Sequence, residues 1–162
     1  LEEMEEELLE FLGFGNEHGK IKYDEACKKY GVDELDYDEE EAMSKELGTC
    51  TFLSHFPHRT HPFWNMKQND DDKNLYNKID VIMHGQETIG SAERATNVDE
   101  MRENFHTISD GEYAQLLYNH FTKERVEKEL EEYLSHDFFP RFGGGIGVTR
   151  MVRAMEMSGL MK

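Results

Sequence analysis

The sequence predicts an α+β fold in which an antiparallel sheet is flanked by helices packed on one side. From Cys50 onwards, apolar and polar residues alternate in short runs, which is typical of strands. Before residue 48 and after residue 108, apolar residues recur at helical spacing instead. We expect a single domain over residues 1–162, because a chain of this length with 37% hydrophobic residues can bury one core.

Residues 1–48 are predicted to form an acidic helical segment. Residues 2–12 form the first candidate helix, and residues 24–30 and 38–47 form two more. The apolar stripe of the first helix contains Met4, Leu8, Leu9, Phe11 and Leu12. The sequence starts at Leu1 without an initiator methionine, so we interpret the chain as a processed, trimmed or partly observed product.

The acidic charge restricts the classes of partner. The formal net charge is −17, and residues 1–50 hold 17 acidic and 5 basic residues. A field of this sign repels polyphosphates and anionic membranes, so it disfavours a nucleic-acid partner. No stretch approaches the roughly 20 apolar residues that cross a bilayer, and no secretory signal opens the sequence. Cys27 and Cys50 are predicted to be free thiols, and we expect a soluble, cytoplasmic protein.

Residues 49–162 are predicted to form the core that carries the functional site. The runs 51–53, 79–83 and 88–92 are candidate strands, and the turn at 84–86 suggests that the last two pair as a hairpin.

Two helices are predicted after the hairpin. The first would start with a capping box between Ser109 and Glu112, and the second would span residues 122–135. Their predicted buried residues are Tyr113, Leu116, Leu117 and Phe121 in the first helix, and Val126, Leu130 and Leu134 in the second.

The run RFGGGIGVTR at 141–150 is the strongest functional signal. Three consecutive glycines in a strand weaken its packing, which indicates that a flat or bulky group lies against the backbone. Arg150 follows in the first turns of a predicted helix, where a guanidinium can bind a phosphate through two donors. A glycine-rich bend in a crowded sheet would explain the glycines alone, but the strand, helix and arginine together favour a phosphate site.

A second signal is the run DVIMHGQETIGSAER at 80–94. Glu87 and Arg94 lie on an apolar strand, where burying either ion alone costs several kcal/mol. They could pair with their neighbours or lie on the surface; alternatively, they could bind ligands. Because side chains alternate along a strand, their odd spacing would place them on opposite faces. A shared site therefore requires a β-bulge, which we predict at Gly90 and Ser91.

Three histidines, His55, His58 and His61, occur in the run HFPHRTHPF. Pro57 and Pro62 exclude a helix here, and no Cys or acid completes a zinc site nearby. A polar loop in which one or two histidines face a ligand is the favoured interpretation.

Together these runs resemble the catalytic core of class II aminoacyl-tRNA synthetases, in the aspartyl and asparaginyl subgroup. GGGIGVTR is similar to motif 3, GQETIGSAER to the segment with Glu and Arg seven places apart, and SHFPHRTHPFW to the strand and loop ending in Pro-Phe-aromatic. The resemblance is specific over residues 49–157. FPRFGGGIGVTRMVRAM looks closer to the related asparagine synthetases, which amidate aspartate with ammonia.

The resemblance implies ATP and Mg²⁺ as cofactors. Arg150 would bind the γ-phosphate of ATP, and Glu87 would bind Mg²⁺ with ATP, so these two residues would be catalytic. The motif 3 glycines Gly143, Gly144 and Gly145 would also line the ATP site. On the substrate side, Arg94 would select aspartate or asparagine.

The same resemblance suggests that His61 contacts the amino acid, and the small residues Gly90 and Ser91 would lie close to it. Motifs 1 and 2 are not visible and would precede Leu1, so the chain would be the C-terminal half of the catalytic domain and any homodimer would form through a segment outside it.

The preferred interpretation is an ammonia-dependent asparagine synthetase that proceeds through an aspartyl-adenylate. An aspartyl- or asparaginyl-tRNA synthetase core is the alternative in the same fold. A catalytically inactive paralogue that binds or regulates a partner is the alternative from another class, because motif 2 is missing.

Overall fold

A five-stranded sheet forms the centre of the computed structural model, which describes residues 1–161. The strands are β1 (Gly19–Lys22), β2 (Cys50–Pro57), β3 (Leu75–Met83), β4 (Gln86–Arg94) and β5 (Arg141–Ile146), and they lie side by side in that order. The helices are α1 (Glu2–Phe11), α2 (Tyr23–Tyr30), α3 (Tyr37–Leu47), α4 (Val98–Thr107), α5 (Glu112–Phe121), α6 (Lys123–Leu134) and α7 (Val148–Met157). Within residues 1–161, no helix is long and apolar enough to cross a membrane.

The predicted antiparallel sheet is confirmed for β2 to β5, whereas β1 joins β2 in parallel and makes the sheet mixed. Strand β1 was not predicted, because its four residues are too few to show an alternating pattern. Gly19 is needed at the start of β1, since a Cβ there would lie 2.7 Å from the carbonyl oxygen of Leu47.

The hairpin between β3 and β4 is confirmed. His84 and Gly85 form its two-residue turn, and both have positive φ, 48° and 79°. Two positive φ angles define the turn type that matches the twist of paired strands. The turn therefore fixes which residues of β3 and β4 face each other.

Helices cover both faces of the sheet, so the expectation of helices on one side was wrong. Helices α1 and α7 pack on one face through a core of Leu9, Phe52, Val81, Met83, Met151 and Ala154. Helices α2 and α3 pack on the other face through Tyr23, Ala26, Met43, Leu53 and Ile82. Much of β2 and β3 is buried on both sides, and such strands need a helical layer on each face.

Helices α4, α5 and α6 form a third cluster next to the sheet. The second predicted helix is confirmed, with Val126, Leu130 and Leu134 buried. In α5, by contrast, the side chain that is buried is Ala114, while Leu116 and Phe121 are exposed. The cluster is centred on Trp64, Met101, Phe105, Ala114, Val126, Leu130 and Leu134.

The capping box expected at Ser109 and Glu112 is absent. Ser109 and Asp110 have positive φ and belong to a short 3₁₀ turn, and Gly111 occupies the N-cap of α5 without a side-chain hydrogen bond. The capping box of this protein lies at α3, where Asp36 and Glu39 satisfy each other's backbone groups.

Glu5 is the unexpected member of the core. Within α1, Leu9 is fully buried as predicted, whereas Met4 and Phe11 are exposed and Glu5 is only 1% exposed. Ser91 Oγ on β4 donates a hydrogen bond to Glu5 Oε1, while Glu5 Oε2 has no partner. Burial raises the pKa of Glu5 to about 7, because desolvation penalises the carboxylate.

Replacing Glu5 with Gln should flatten the dependence of stability on pH. The folded protein holds the Glu5 proton more tightly than the unfolded chain, so Glu5 stabilises the fold fully only below its ordinary pKa and this contribution falls as pH rises through about 7. We expect the wild type to lose up to about 3 kcal/mol relative to Glu5→Gln between about pH 5 and pH 8. Urea denaturation of both proteins across this range measures the difference, and parallel curves would contradict it.

Candidate active site

A cleft of about 280 Å³ lies on the face of the sheet that carries α2 and α3. Its lining residues are Tyr23, Leu35, Glu40, Leu53, Phe56, Thr60, His61, Pro62, Phe63, Lys78, Asp80 and Glu87. A second cavity, of about 300 Å³, is bordered by residues including His55, Asn77, Glu93 and Phe142, and none of the predicted site residues lines it.

A β-bulge in β4 brings Glu87 and Arg94 to the same face. Ile89 lies opposite Val81, but the next pair joins Glu87 to Ile82, so Thr88 is the extra residue. The predicted bulge therefore exists, but it lies at Thr88 and not at Gly90 and Ser91. The Thr88 hydroxyl donates to the carbonyl of Gln86 and the Thr88 carbonyl accepts from the Gly147 amide, so the bulge needs no glycine.

Carboxylates gather at the Glu87 end of the cleft. Around the point where a Cβ on Gly90 would lie, Glu87 Oε1 is at 2.7 Å and Asp80 Oδ1 at 3.3 Å. Glu40 Oε2 accepts a hydrogen bond from the Glu87 amide at 3.0 Å. Gly90 thus forms the floor beneath two acidic side chains, and a side chain at this position would displace them.

Lys78 is the cation closest to these acids. Its Nζ donates to Asp80 Oδ2 and lies 3.6 Å from the centre of the Phe56 ring, while Asp80 Oδ1 has no partner. Burial raises the pKa of Asp80 to about 6, with Lys78 acting in the opposite direction. Burial also raises the pKa of Glu40. None of these three residues was predicted to belong to the site, although an acid in the apolar run KIDVIM was a usable signal.

The acidic end of the cleft could hold Mg²⁺ only together with a bound ligand that supplies further oxygen atoms. Asp80 Oδ1 and the Glu87 carboxylate are hard oxygen donors that face one space, and Mg²⁺ is commonly held by one or two carboxylates plus substrate phosphates. Within residues 1–161, no group of three or more His, Cys, Asp or Glu side chains is arranged to hold a metal. Glu87 therefore fits its predicted metal role together with Asp80.

The histidine run lies partly at the cleft. His61 lines it, and positive φ at this residue turns the chain after a short 3₁₀ helix. His55 Nδ1 pairs with the Ser54 hydroxyl, and the His58 ring packs near Tyr76.

Arginines lie at the opposite end of β4. Arg94 and Arg141 are directly opposite each other on β4 and β5. Arg94 donates from Nη1 to Asn65 Oδ1 at 3.3 Å, and its Nε is 2.6 Å from where a Cβ on Gly143 would lie. Burial and the charge of Arg141 both lower the pKa of Arg94. Arg141 was not among the predicted site residues.

The three glycines of β5 differ in what they face. Gly143 lies under the Arg94 guanidinium, and Gly145 has no atom within 4 Å of its Cβ position. Gly144 points to the other face, where a Cβ would be 2.7 Å from the Gly90 carbonyl and 2.8 Å from the Ser91 Cβ. Only Gly145 leaves open space above the strand.

Arg150 lies at the acidic end, in the first turn of α7. Its Nη1 donates to the Glu87 carbonyl at 2.6 Å, and its charge partly offsets the burial that raises the pKa of Glu40. Ser91 is not in the cleft, contrary to its predicted role in binding substrate. Once the bulge is placed at Thr88, Ser91 faces α1 and bonds Glu5.

Solved structures with the same fold include aspartyl- and asparaginyl-tRNA synthetases. The asparaginyl-tRNA synthetase from Pyrococcus horikoshii, complexed with asparaginyl-adenylate, matches with a TM-score of 0.64 and 22% identity over 85% of this chain and 31% of that chain. The aspartyl-tRNA synthetase from Entamoeba histolytica matches with a TM-score of 0.61 and 21% identity over 85% of this chain and 28% of that chain. The predicted fold of a class II catalytic core is confirmed.

A family model described as tRNA synthetases class II (D, K and N) matches residues 1–159, so the chain belongs to this family. It is also 24% identical over 151 residues to the aspartate–tRNA(Asp/Asn) ligase of Haloquadratum walsbyi, over 84% of this chain and 31% of that protein. The chain spans less than a third of the length of these relatives.

Alanine substitutions at Gly144 and Gly145 should change the unfolding free energy by different amounts, because only Gly144 is packed against other atoms. Gly144→Ala would press its Cβ against the backbone of β4, so we expect a loss of about 2 kcal/mol or more in unfolding free energy. Gly145→Ala meets no atom within 4 Å, so its stability should stay within about 0.5 kcal/mol of the wild type. Urea denaturation measures both, and equal losses would contradict the different surroundings of the two positions.

Proposed function

We propose that this chain carries the ATP and amino-acid site of an enzyme that activates aspartate as an adenylate. The observation that carries the proposal is the bulge at Thr88, which places Glu87 and Arg94 on the same face of the sheet. The family supports ligase chemistry of this kind, because its members include synthetases, and one structural neighbour holds asparaginyl-adenylate.

The charges of the cleft suit the two ends of this reaction. Arg150 and Glu87 lie together at one end, where phosphates and their Mg²⁺ would bind. Arg94 lies at the other end of β4, where it would hold a substrate carboxylate through two donors. Gly90 and Ala92 keep the floor of β4 between these ends free of bulky side chains.

The chain's own residues would act by position and charge. A carboxylate oxygen of aspartate bonds to the α-phosphorus of ATP, the bond from that phosphorus to pyrophosphate breaks, and the acceptor nitrogen or oxygen later displaces AMP. Mg²⁺, when bound, would offset charge on the leaving pyrophosphate. Arg150 would stabilise the same charge, and Arg94 would hold the other carboxylate of the substrate, so that the reacting carboxylate stays in line.

Ammonia is the proposed acceptor. The net charge of −17 disfavours binding to tRNA phosphates, and the motif 3 region resembles the asparagine synthetases. In asparagine synthesis the side-chain carboxylate is the one that is activated, so Arg94 would then hold the α-carboxylate. In a tRNA ligase the α-carboxylate would react, and Arg94 would hold the side-chain carboxylate. A tRNA ligase is the second candidate because of the similarity to the H. walsbyi ligase.

One set of assays tests the proposal in the natural full-length protein. ATP–pyrophosphate exchange is measured with aspartate and with asparagine, and products are then analysed with ammonia and with tRNA. Exchange with aspartate and formation of free asparagine would support the proposal. Aminoacyl-tRNA as the product would favour the tRNA ligase, and no exchange with either amino acid would favour an inactive paralogue.

Arg150→Ala should reduce ATP–pyrophosphate exchange by at least about a hundredfold, because one charge-assisted contact to a developing phosphate charge contributes a few kcal/mol. Arg153→Ala is a matched control, since Arg153 lies on the same helix and donates to the His84 carbonyl, as Arg150 does to that of Glu87. Exchange by Arg150→Ala within a few-fold of the control would refute the role of Arg150.

Arg94→Leu should raise the KM for aspartate by about a hundredfold and the KM for ATP by less than about threefold. The guanidinium would contact only the amino acid, and a site built for a charged group loses much affinity when its partner charge is removed. Steady-state exchange kinetics with each substrate varied in turn measure the two values. Equal increases would mean that Arg94 maintains the structure of the strand instead.

A further inference from the structure

Arg94 and Arg141 form a pair of like charges on neighbouring strands. They are cross-strand neighbours on β4 and β5, an arrangement that is unfavourable unless an anion joins it. Within residues 1–161, neither takes part in an ion pair. Their hydrogen bonds go to neutral acceptors: Arg94 donates to Asn65 Oδ1, and Arg141 donates to the carbonyls of Ala95 at 3.4 Å and Phe139 at 3.2 Å.

Neighbouring side chains hold the two arginines without neutralising them. The Arg141 guanidinium stacks over the Phe138 ring at 4.9 Å, and Gly143 leaves room for that of Arg94. Glu93, the acid next to Arg94 in sequence, points to the opposite face and is already engaged by Lys67 and Asn77. A preformed pair of cations without a protein anion is the arrangement expected of a carboxylate site.

We propose that Arg141 acts with Arg94 to hold the carboxylate of the substrate that does not react, so that this arginine pair selects a dicarboxylic amino acid. The inference rests on the proposed adenylate chemistry and adds a substrate-binding residue to it.

The selectivity for aspartate follows because the substrate needs two carboxylates, one that reacts and one that binds the arginine pair. Adenylate formation consumes one carboxylate, and the arginine pair needs a second one. If ammonia is the acceptor, the side-chain carboxylate reacts and the α-carboxylate is held; if tRNA is the acceptor, these roles are exchanged. Aspartate supplies both groups in either case. Asparagine either has no side-chain carboxylate to activate or presents a neutral amide to two guanidiniums, so it is not activated.

The test uses the natural full-length protein with Arg141→Gln, Arg141→Lys and a control, Arg125→Gln. Arg125 lies on the exposed side of α6, where it pairs with Glu129. Calorimetric titration with L-aspartate measures binding, and ATP–pyrophosphate exchange with aspartate and asparagine measures activation. Thermal melting shows whether each variant is folded.

We expect Arg141→Gln to bind aspartate about ten- to a hundredfold more weakly, with the KM for ATP changed less than about threefold. Arg141→Lys should keep part of the affinity, because it retains charge but loses the guanidinium fork. Arg125→Gln should match the wild type. Wild-type exchange with asparagine should be below about a hundredth of that with aspartate.

Unchanged aspartate binding in a folded Arg141→Gln or Arg141→Lys protein would overturn the inference. So would wild-type exchange with asparagine at a rate comparable to that with aspartate, a result that does not depend on any variant folding. Absence of exchange with both amino acids would refute the proposed adenylate chemistry, while aspartate binding that depends on Arg141 would still support the carboxylate site.

Discussion

The candidate site depends on a single extra residue in one strand. Strict alternation along β4 would send Glu87 and Arg94 to opposite faces of the sheet, one into the cleft and the other into the apolar layer beneath α1 and α7. Thr88 removes this conflict at little cost, because its hydroxyl and carbonyl are both hydrogen-bonded within the fold. The bulge also sets the direction of every residue after it, so the positions of Gly90, Ser91 and Ala92 follow from it as well.

The electrostatics of the cleft follow from this geometry. Acidic side chains collect where β3 and β4 approach α3, and arginines collect where β4 approaches β5. Each group is partly desolvated by the sheet and its helical layers, so water weakens its charge less than it would on an open surface. The raised pKa values of Asp80 and Glu40 and the lowered pKa of Arg94 all have burial as their main cause. A ligand that supplies opposite charges would relieve this penalty.

Local patterns in the sequence were sufficient to predict the hairpin, the glycine strand and the helix that follows it. The bulge was predicted because the family resemblance requires Glu87 and Arg94 in one site. The position of the bulge was not predictable, since it depends on a hydrogen bond from Gly147, which is far along the chain. Ser91 was wrongly predicted to lie in the site for the same reason, because moving the bulge by two residues changes the face of the sheet on which Ser91 lies. Glu40 reaches the cleft from 47 residues before Glu87. The role of Arg141 could not be predicted either, because tertiary contacts, and not the local sequence, place it opposite Arg94.

Helix α7 is tied to the β3–β4 hairpin by two arginines one helical turn apart. Arg150 is bonded to the Glu87 carbonyl and Arg153 to the His84 carbonyl. The bond of Arg150 uses only Nη1, so Nε and Nη2 keep donors for a phosphate, and a shift of this side chain towards a ligand would leave the bond of Arg153 in place. In its proposed role, Arg150 would contribute to nucleotide affinity according to which of these two arrangements its side chain adopts, and Arg153 would attach the hairpin to the helix in both.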